Sequence, residues 1–307
     1  MLGFLKLIRY KNLLIIAGTQ LLFNFFLNNG FFKQTALSGI DFFFLIFATI
    51  CIAAGGNIIN DICDVEIDKI NKPEKLIVGT VISEKTANKL YIIITILGVA
   101  AGFYVSNSIG KATFGVFFIL TSALLYFYAT TLKKYFLWGN ILISVLVGFS
   151  VFIIGIFDII PIKSHENIFI FKIYFKTILF YTTLAFFINL LREIVKDIQD
   201  TDGDYNNNIV SLSIVLGKER SSKIIAILSL TGAICLFVFI YSVFHSYIFL
   251  ILYFIIFVIS LMFYLSYVSW YAKKDSEFSK MSNLLKIIMI TGVLSVIPFH
   301  YLILKGF

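Results

Sequence analysis

The sequence predicts an all-α polytopic membrane protein, with nine spanning helices around a central cavity and a single domain over 1–307. Four observations carry this. The chain is 60% hydrophobic, with a mean hydropathy of +0.96, whereas soluble domains are about 45–50% apolar. Only 14% of it is charged, too little to build a water-facing surface. Apolar runs recur at roughly the 20 residues a helix needs to cross hydrocarbon. Finally, acidic side chains gather at the ends of two of those runs, where a cavity rather than lipid must receive them.

The runs fall near 12–30, 42–60, 88–107, 113–131, 137–157, 173–191, 223–243, 247–267 and 285–304. The second follows the first closely, so the first reads as a span rather than a cleaved leader. Loop charge orients the set, because cytoplasmic loops collect Lys and Arg. With the N-terminus in the cytoplasm, 19 of the 25 Lys and Arg fall on that side and 6 on the other. The expected orientation is therefore N-terminus inside, with both acidic clusters facing the cytoplasm. The Ile-, Phe- and Lys-rich composition points to an AT-rich bacterial genome, hence a bacterial cytoplasmic (inner) membrane.

Several classes are excluded. The net charge is +8, but the basic residues form no stripe, so no nucleic-acid partner is expected. Three cysteines with no CxxC pair exclude a disulfide scaffold and a thiolate zinc site. No obligate protein partner is expected, only membrane lipid.

The two acidic clusters share one spacing. The first holds Asn57, Asn60, Asp61, Asp64, Glu66 and Asp68; the second holds Glu193, Asp197, Asp200, Asp202 and Asp204. Both contain D-x-x-D-x-x-x-D. At about 100° per residue, Asp61, Asp64 and Asp68 fall near 0°, 300° and 340° on a helical wheel, and Asn57 near 320°. These four share an arc of about 60°. Asp197, Asp200 and Asp204 repeat the arc, with Glu193 in the place of Asn57. Asp202 points elsewhere, and Gly203 is expected to end the regular helix before Asp204. The clusters lie 136 residues apart, Asp61 to Asp197. That separation suggests diverged internal halves, about 1–135 and 136–270, plus a ninth helix.

Like charges stacked at i,i+3 and i,i+4 destabilise a helix. Six carboxylates on one cavity therefore call for a counter-charge. A hard divalent cation with oxygen ligands supplies it, and Mg²⁺ binds through few carboxylates plus phosphates of a ligand. The metal candidates are Asp61, Asp64, Asp68, Asp197, Asp200 and Asp204. The basic and polar groups nearby suit a phosphate: Arg9, Lys75, Lys133, Arg192 and Lys196, with Asn57, Asn60 and Tyr128. Most basic residues at span ends only set topology or touch headgroups, so that alternative stands beside each of them. The ligand expected is an anionic phosphate compound with an apolar body.

At these residues the chain resembles the UbiA superfamily of intramembrane prenyltransferases. Asn60, Asp61, Asp64 and Asp68 match its first hallmark, with Asn57 one turn earlier. Asp197, Asp200 and Asp204 match the second. Tyr128, Leu132 and Lys133 match the segment between them, followed by Gly139 and Asn140. The resemblance implies Mg²⁺-dependent transfer of a prenyl group from an isoprenyl diphosphate to a lipid-soluble acceptor, with the six Asp as catalytic and metal-binding residues. Glu66-Ile67-Asp68 followed by Ile70-Asn71-Lys72-Pro73 is similar to the digeranylgeranylglyceryl phosphate synthases. In that ether-lipid branch a geranylgeranyl group is transferred to geranylgeranylglyceryl phosphate. Lys75-Leu76 stands where relatives have Arg-Pro, which leaves open an aromatic acceptor such as 4-hydroxybenzoate or another quinone precursor. A secondary transporter is the alternative of another class. Its charges belong near the midplane, and the acids here sit at span ends.

Overall fold

The structure is a computed structural model describing residues 2–28, 35–71, 73–163, 168–207 and 209–304. Its long elements are α1 (Leu2–Leu7), α2 (Tyr10–Leu22, continued by a π-helical turn over Phe23–Asn28), α3 (Gly39–Cys63), α4 (Val65–Asn71), α5 (Glu84–Ser108), α6 (Val116–Thr130) and α7 (Trp138–Ile154). They continue with α8 (Ile168–Gln199), α9 (Thr201–Asn206), α10 (Leu212–Leu216), α11 (Lys218–Phe244), α12 (Ile248–Phe254), α13 (Ser260–Tyr271), α14 (Asp275–Leu294) and α15 (Val296–Leu304). Among the described residues no strand forms, only one isolated bridge between Val78 and Ile82.

Eight helical stretches among the described residues are long and apolar enough to cross a membrane, from Gly39–Cys63 through Asp275–Tyr301. They match the second to ninth expected spans. The first expected span corresponds to α2 and its π-turn, and its last residues lie outside the described ones. This helix is the least apolar of the set because it carries Asn12, Gln20 and Asn24. Gln20 is fully buried and donates from Nε2 to the Ser150 carbonyl at 2.8 Å and to Thr49 Oγ1 at 3.2 Å. The polar side chain thus faces α3 and α7 rather than lipid, where an unpaired amide is costly.

Local chemistry sets the helix boundaries. Ser38 caps α3 in a capping box: its Oγ accepts from Asp41 N–H, and Asp41 accepts from Ser38 N–H. This satisfies two of the donors a helix N-terminus leaves orphaned. Ser83 caps α5 by accepting from Thr86 N–H at 3.3 Å. Without a hydrophobic drive between helices in lipid, close approach needs small residues. Gly98 on α5 shows this: a Cβ there would lie 2.9 Å from Cys51 Cβ and 3.2 Å from the Ala48 carbonyl. The principal helix pairings are α3 with α5 and α6, α7 with α8, α8 with α14, and α11 with α13. Helix α8 is 32 residues long and runs past its span to present the second acidic cluster beside the end of α3.

Candidate active site

Both acidic segments begin on long helices and turn at their middle aspartate. Asp64 closes α3 with φ −94° and ψ 4°. Asp200 stands before α9 with φ −102° and ψ 8°. The i→i−4 hydrogen bonds nevertheless run through both turns: Asp64 N–H to Asn60, Asp68 N–H to Asp64, Asp200 N–H to Lys196, and Asp204 N–H to Asp200, all at 2.8–3.0 Å. The helical phase therefore survives, and the first and last carboxylates stay on one side. The expectation that Gly203 ends the helix is corrected here. The break falls three residues earlier, at Asp200, and α9 runs through Gly203 and Asp204 to Asn206.

The carboxylates at the first segment already have partners. Arg9 Nη2 donates to Asp61 Oδ1 at 2.8 Å. Asn60 Nδ2 donates to Asp64 Oδ2 at 2.7 Å, and Lys133 Nζ donates to the same oxygen. Asp64 is only 5% exposed, so its charge needs these donors. Arg9 occupies the left-handed region, φ 53°, where α1 meets α2. Asn57 holds that junction down, its Nδ2 donating to the Ile8 carbonyl at 3.0 Å. Asn57 thus supports the Arg9 backbone with the amide expected to meet ligand.

The second segment is held differently. Asn140 Nδ2, from α7, donates to Asp197 Oδ2 at 2.8 Å. Lys196 Nζ donates to buried Glu193 at 2.6 Å, and Arg192 also lies within electrostatic reach of Glu193. Arg192 Nε is buried without a hydrogen-bond partner. Asp202 has an 82% exposed side chain, 4.0 Å from Lys218, as its place on the wheel predicts. Asp204 is buried. The backbone of Lys75 ends a short 3₁₀ turn, Pro73–Lys75; its side chain lies outside the described residues.

Lys133 joins the two sides. It follows α6 on a 3₁₀ turn, Leu132–Lys134, and Val210 N–H bonds the Lys134 carbonyl at 3.1 Å, tying that turn to the chain after the second segment. Burial alone would lower the pKa of the Lys133 ammonium. Asp64 beside it, with Asp204 and Asp68 behind, outweighs burial and holds its pKa above the ordinary lysine value. Arg9 is treated alike: burial opposes its charge, and Asp61 more than restores it. Lys133 lines one cavity with Tyr128, Asn140, Glu193, Asp197 and Asp204. Its free core admits water centres over about 30 Å³, the room of a few waters. A larger anion therefore needs the side chains lining this cavity to move apart. A second, apolar cavity shares α7 and α8 with the first and is closed by the π-turn after α2 and by α14; Phe23, Val151, Tyr181, Leu184, Ile188 and Met289 line it.

Among the described residues no three acidic, His or Cys side chains form a ready-made metal cage. The donor set instead suits a cation that arrives with phosphate oxygens. Carboxylates stand on two walls, Asp61 and Asp64 paired with Arg9 and Lys133 and Asp197 accepting from the neutral Asn140 amide, and Mg²⁺ takes one or two carboxylates together with substrate phosphates. The sequence reading passed over Asn140, Asn71 and Gly203 as site residues. Asn71 Nδ2 donates to the Asp200 carbonyl at 3.0 Å, and Asn71 Oδ1 accepts from Gly203 N–H at 2.7 Å. A polar residue closing an acidic run was the available signal, but nothing in the sequence says which backbone it reaches.

Helices α6, α7 and α8 thus converge their polar ends on one cavity, to which α3 is tied by the Asp64–Lys133 pair, with an apolar cavity further along α7 and α8; this is the architecture of an intramembrane enzyme for an anionic, lipid-tailed substrate. The chain belongs to the UbiA prenyltransferase family, whose profile matches residues 23–287. It is 34% identical over 227 residues to digeranylgeranylglyceryl phosphate synthase of Saccharolobus solfataricus, covering 74% of this chain and 73% of that one. A solved structure concerned with digeranylgeranylglyceryl phosphate synthase in membranes is 27% identical and superposes with a TM-score of 0.63, over 99% of this chain and 98% of that one. A UbiA homologue from Archaeoglobus fulgidus bound to GPP and Mg²⁺ shares the fold at 13% identity and a TM-score of 0.56, over 96% of this chain and 99% of that one.

Proposed function

We propose that this protein transfers a geranylgeranyl group from its diphosphate to geranylgeranylglyceryl phosphate, releasing diphosphate, in an Mg²⁺-dependent reaction within the membrane. The observation that carries this reading is Lys133, which pairs with Asp64 of the first acidic segment and lines the cavity of Asp197 and Asp204 of the second. The similarity to digeranylgeranylglyceryl phosphate synthases supports the choice of donor and acceptor.

In this reading Asp61, Asp64 and Asp68 on one wall and Asp197, Asp200 and Asp204 on the other would hold the Mg²⁺ that accompanies the diphosphate. Bound there, Mg²⁺ supplies Lewis-acid stabilisation of the departing diphosphate. The chain's own groups do the rest. Lys133 and Arg9 turn from Asp64 and Asp61 toward the phosphate oxygens and neutralise charge as it grows on the leaving group, which is where electrostatic catalysis acts. Asn60 and Asn140 are released with them and become available as neutral donors. Tyr128 walls the cavity against α8. Lys196 and Arg192 stand on α8 beside Glu193, where the acceptor's own phosphate would find cationic partners. The apolar cavity takes the prenyl chain and keeps water from an allylic cation.

The Lys and Arg distribution supports a site facing the cytoplasm with the N-terminus on the same side. The bacterial inner-membrane assignment rests on composition alone. The direct test is an assay of purified protein in lipid nanodiscs with labelled geranylgeranyl diphosphate, offering geranylgeranylglyceryl phosphate and 4-hydroxybenzoate in parallel. A diether phosphate identified by mass supports the reading. A prenylated benzoate in its place assigns the protein to aromatic acceptors.

A further inference from the structure

Asn71 ends the helix that carries Asp68, yet its side chain serves the other acidic segment. Its amide brackets the turn around Asp202 from both sides, donating to the Asp200 carbonyl and accepting from Gly203 N–H. An asparagine amide can donate and accept at once; an ionised aspartate can only accept, and alanine does neither. The bond to Gly203 also satisfies a donor in the first turn of α9, where helices leave donors orphaned. Position 203 is shaped to this contact. A Cβ there would lie 2.4–2.6 Å from Nδ2, Cγ and Oδ1 of Asn71, and these are the three nearest atoms. Helix α4 packs against α9 through this bracket.

Both described hydrogen bonds of the Asn71 side chain go to backbone groups. It sits three residues beyond Asp68 and grips the backbone between Asp200 and Asp204. We propose that Asn71 is a positioning residue for the reaction, which locks the second acidic segment to the first so that the two carboxylate sets grip a single diphosphate. The proposal rests on the function inferred above. Its physical basis is that two half-sites on separate helices act together only while their spacing is held, and a displacement of about 1 Å can cost 10²-fold in rate. Nothing else described joins α4 to α9 by side-chain hydrogen bonds.

The test uses purified wild-type protein, Asn71→Ala, Asn71→Asp, Gly203→Ala, and the Asn71→Ala/Gly203→Ala double variant. Four quantities are read: KM for geranylgeranyl diphosphate, the Mg²⁺ concentration for half-maximal rate, kcat, and the melting temperature. Asn71→Ala is expected to raise both KM and the Mg²⁺ requirement by about tenfold or more, with a melting temperature close to wild type. Asn71→Asp fails similarly, because it cannot donate to the Asp200 carbonyl. Gly203→Ala in the wild-type background shows the same loss through its clash with Asn71. Added to Asn71→Ala it costs little, since the atoms it would strike are gone. A merely structural asparagine would move the melting temperature and leave KM and the Mg²⁺ requirement in place; that outcome overturns the proposal. So do losses that simply multiply in the double variant. Wild-type protein without Mg²⁺-dependent turnover would instead overturn the functional reading, and the proposal with it.

Discussion

Lys133 donates its ammonium to Asp64, the aspartate at which the first acidic helix turns. The pair spans 69 positions in sequence and links the end of α6 to the end of α3. Both partners are largely shielded, with side-chain exposures of 23% for Lys133 and 6% for Asp64. A cation so placed supplies the counter-charge that a buried carboxylate needs.

Lys133→Ala is expected to lower kcat/KM by about 10²–10³-fold, the usual cost of removing one electrostatic stabiliser of a transition state. Lys133→Arg should recover part of the loss, since it restores the charge without the point geometry of an ammonium. The check is steady-state kinetics on monodisperse protein in nanodiscs. An alanine variant with near-wild-type turnover would remove Lys133 from the machinery.

The pH dependence of Lys133 has a definite sign. Its pKa in the folded protein lies above the ordinary value of 10.5. A group raised in this way contributes fully below its unfolded value and loses its effect as pH rises through the folded one. The ratio of wild-type to Lys133→Ala kcat/KM should therefore stay level through the neutral range, and the midpoint of its loss should lie above pH 10.5. A ratio that falls across the neutral range would mean that the ammonium discharges early, against the ion pair seen here.

Chelation should abolish turnover, and Mg²⁺ should restore it. The fold should survive chelation, because the carboxylates keep Arg9, Lys133 and Asn140 as partners. Rates and near-UV circular dichroism, measured before and after EDTA, separate the two effects. Full turnover in chelated protein would give the acidic segments another purpose.

Single cysteines at positions 163 and 274 should label from opposite sides of the membrane. Lys163 follows the span ending at Ile162, and Lys274 immediately precedes the span beginning at Asp275. Labelling of both from one face would reverse the topology inferred from the Lys and Arg distribution.

Much of this was legible in the sequence because the lipid environment leaves few options. Apolar runs of spanning length must become helices, and the second to ninth runs do so. The carboxylate arc was legible because helical periodicity is local. It holds even through Asp64 and Asp200, where the backbone turns without losing its i→i−4 bonds. The position of that turn was not legible. Gly203 looked like a helix end by composition, but its missing side chain makes room for Asn71, a contact across 132 positions. The use of Asn57 on the Ile8 carbonyl was hidden for the same reason. A side-chain amide looks the same in sequence whether it meets a ligand or a distant backbone.

The central claim is that both acidic segments act on one diphosphate, and a double-mutant cycle tests it most directly. The variants are Asp64→Asn, Asp200→Asn and the two combined, with Asp202→Asn as the exposed control. The measurement is kcat/KM for geranylgeranyl diphosphate. The account predicts severe losses for each single variant, little further loss in the double, as for residues that act as a unit, and near-wild-type activity for Asp202→Asn. Two modest losses that multiply in the double variant would place the segments at separate sites and contradict the account.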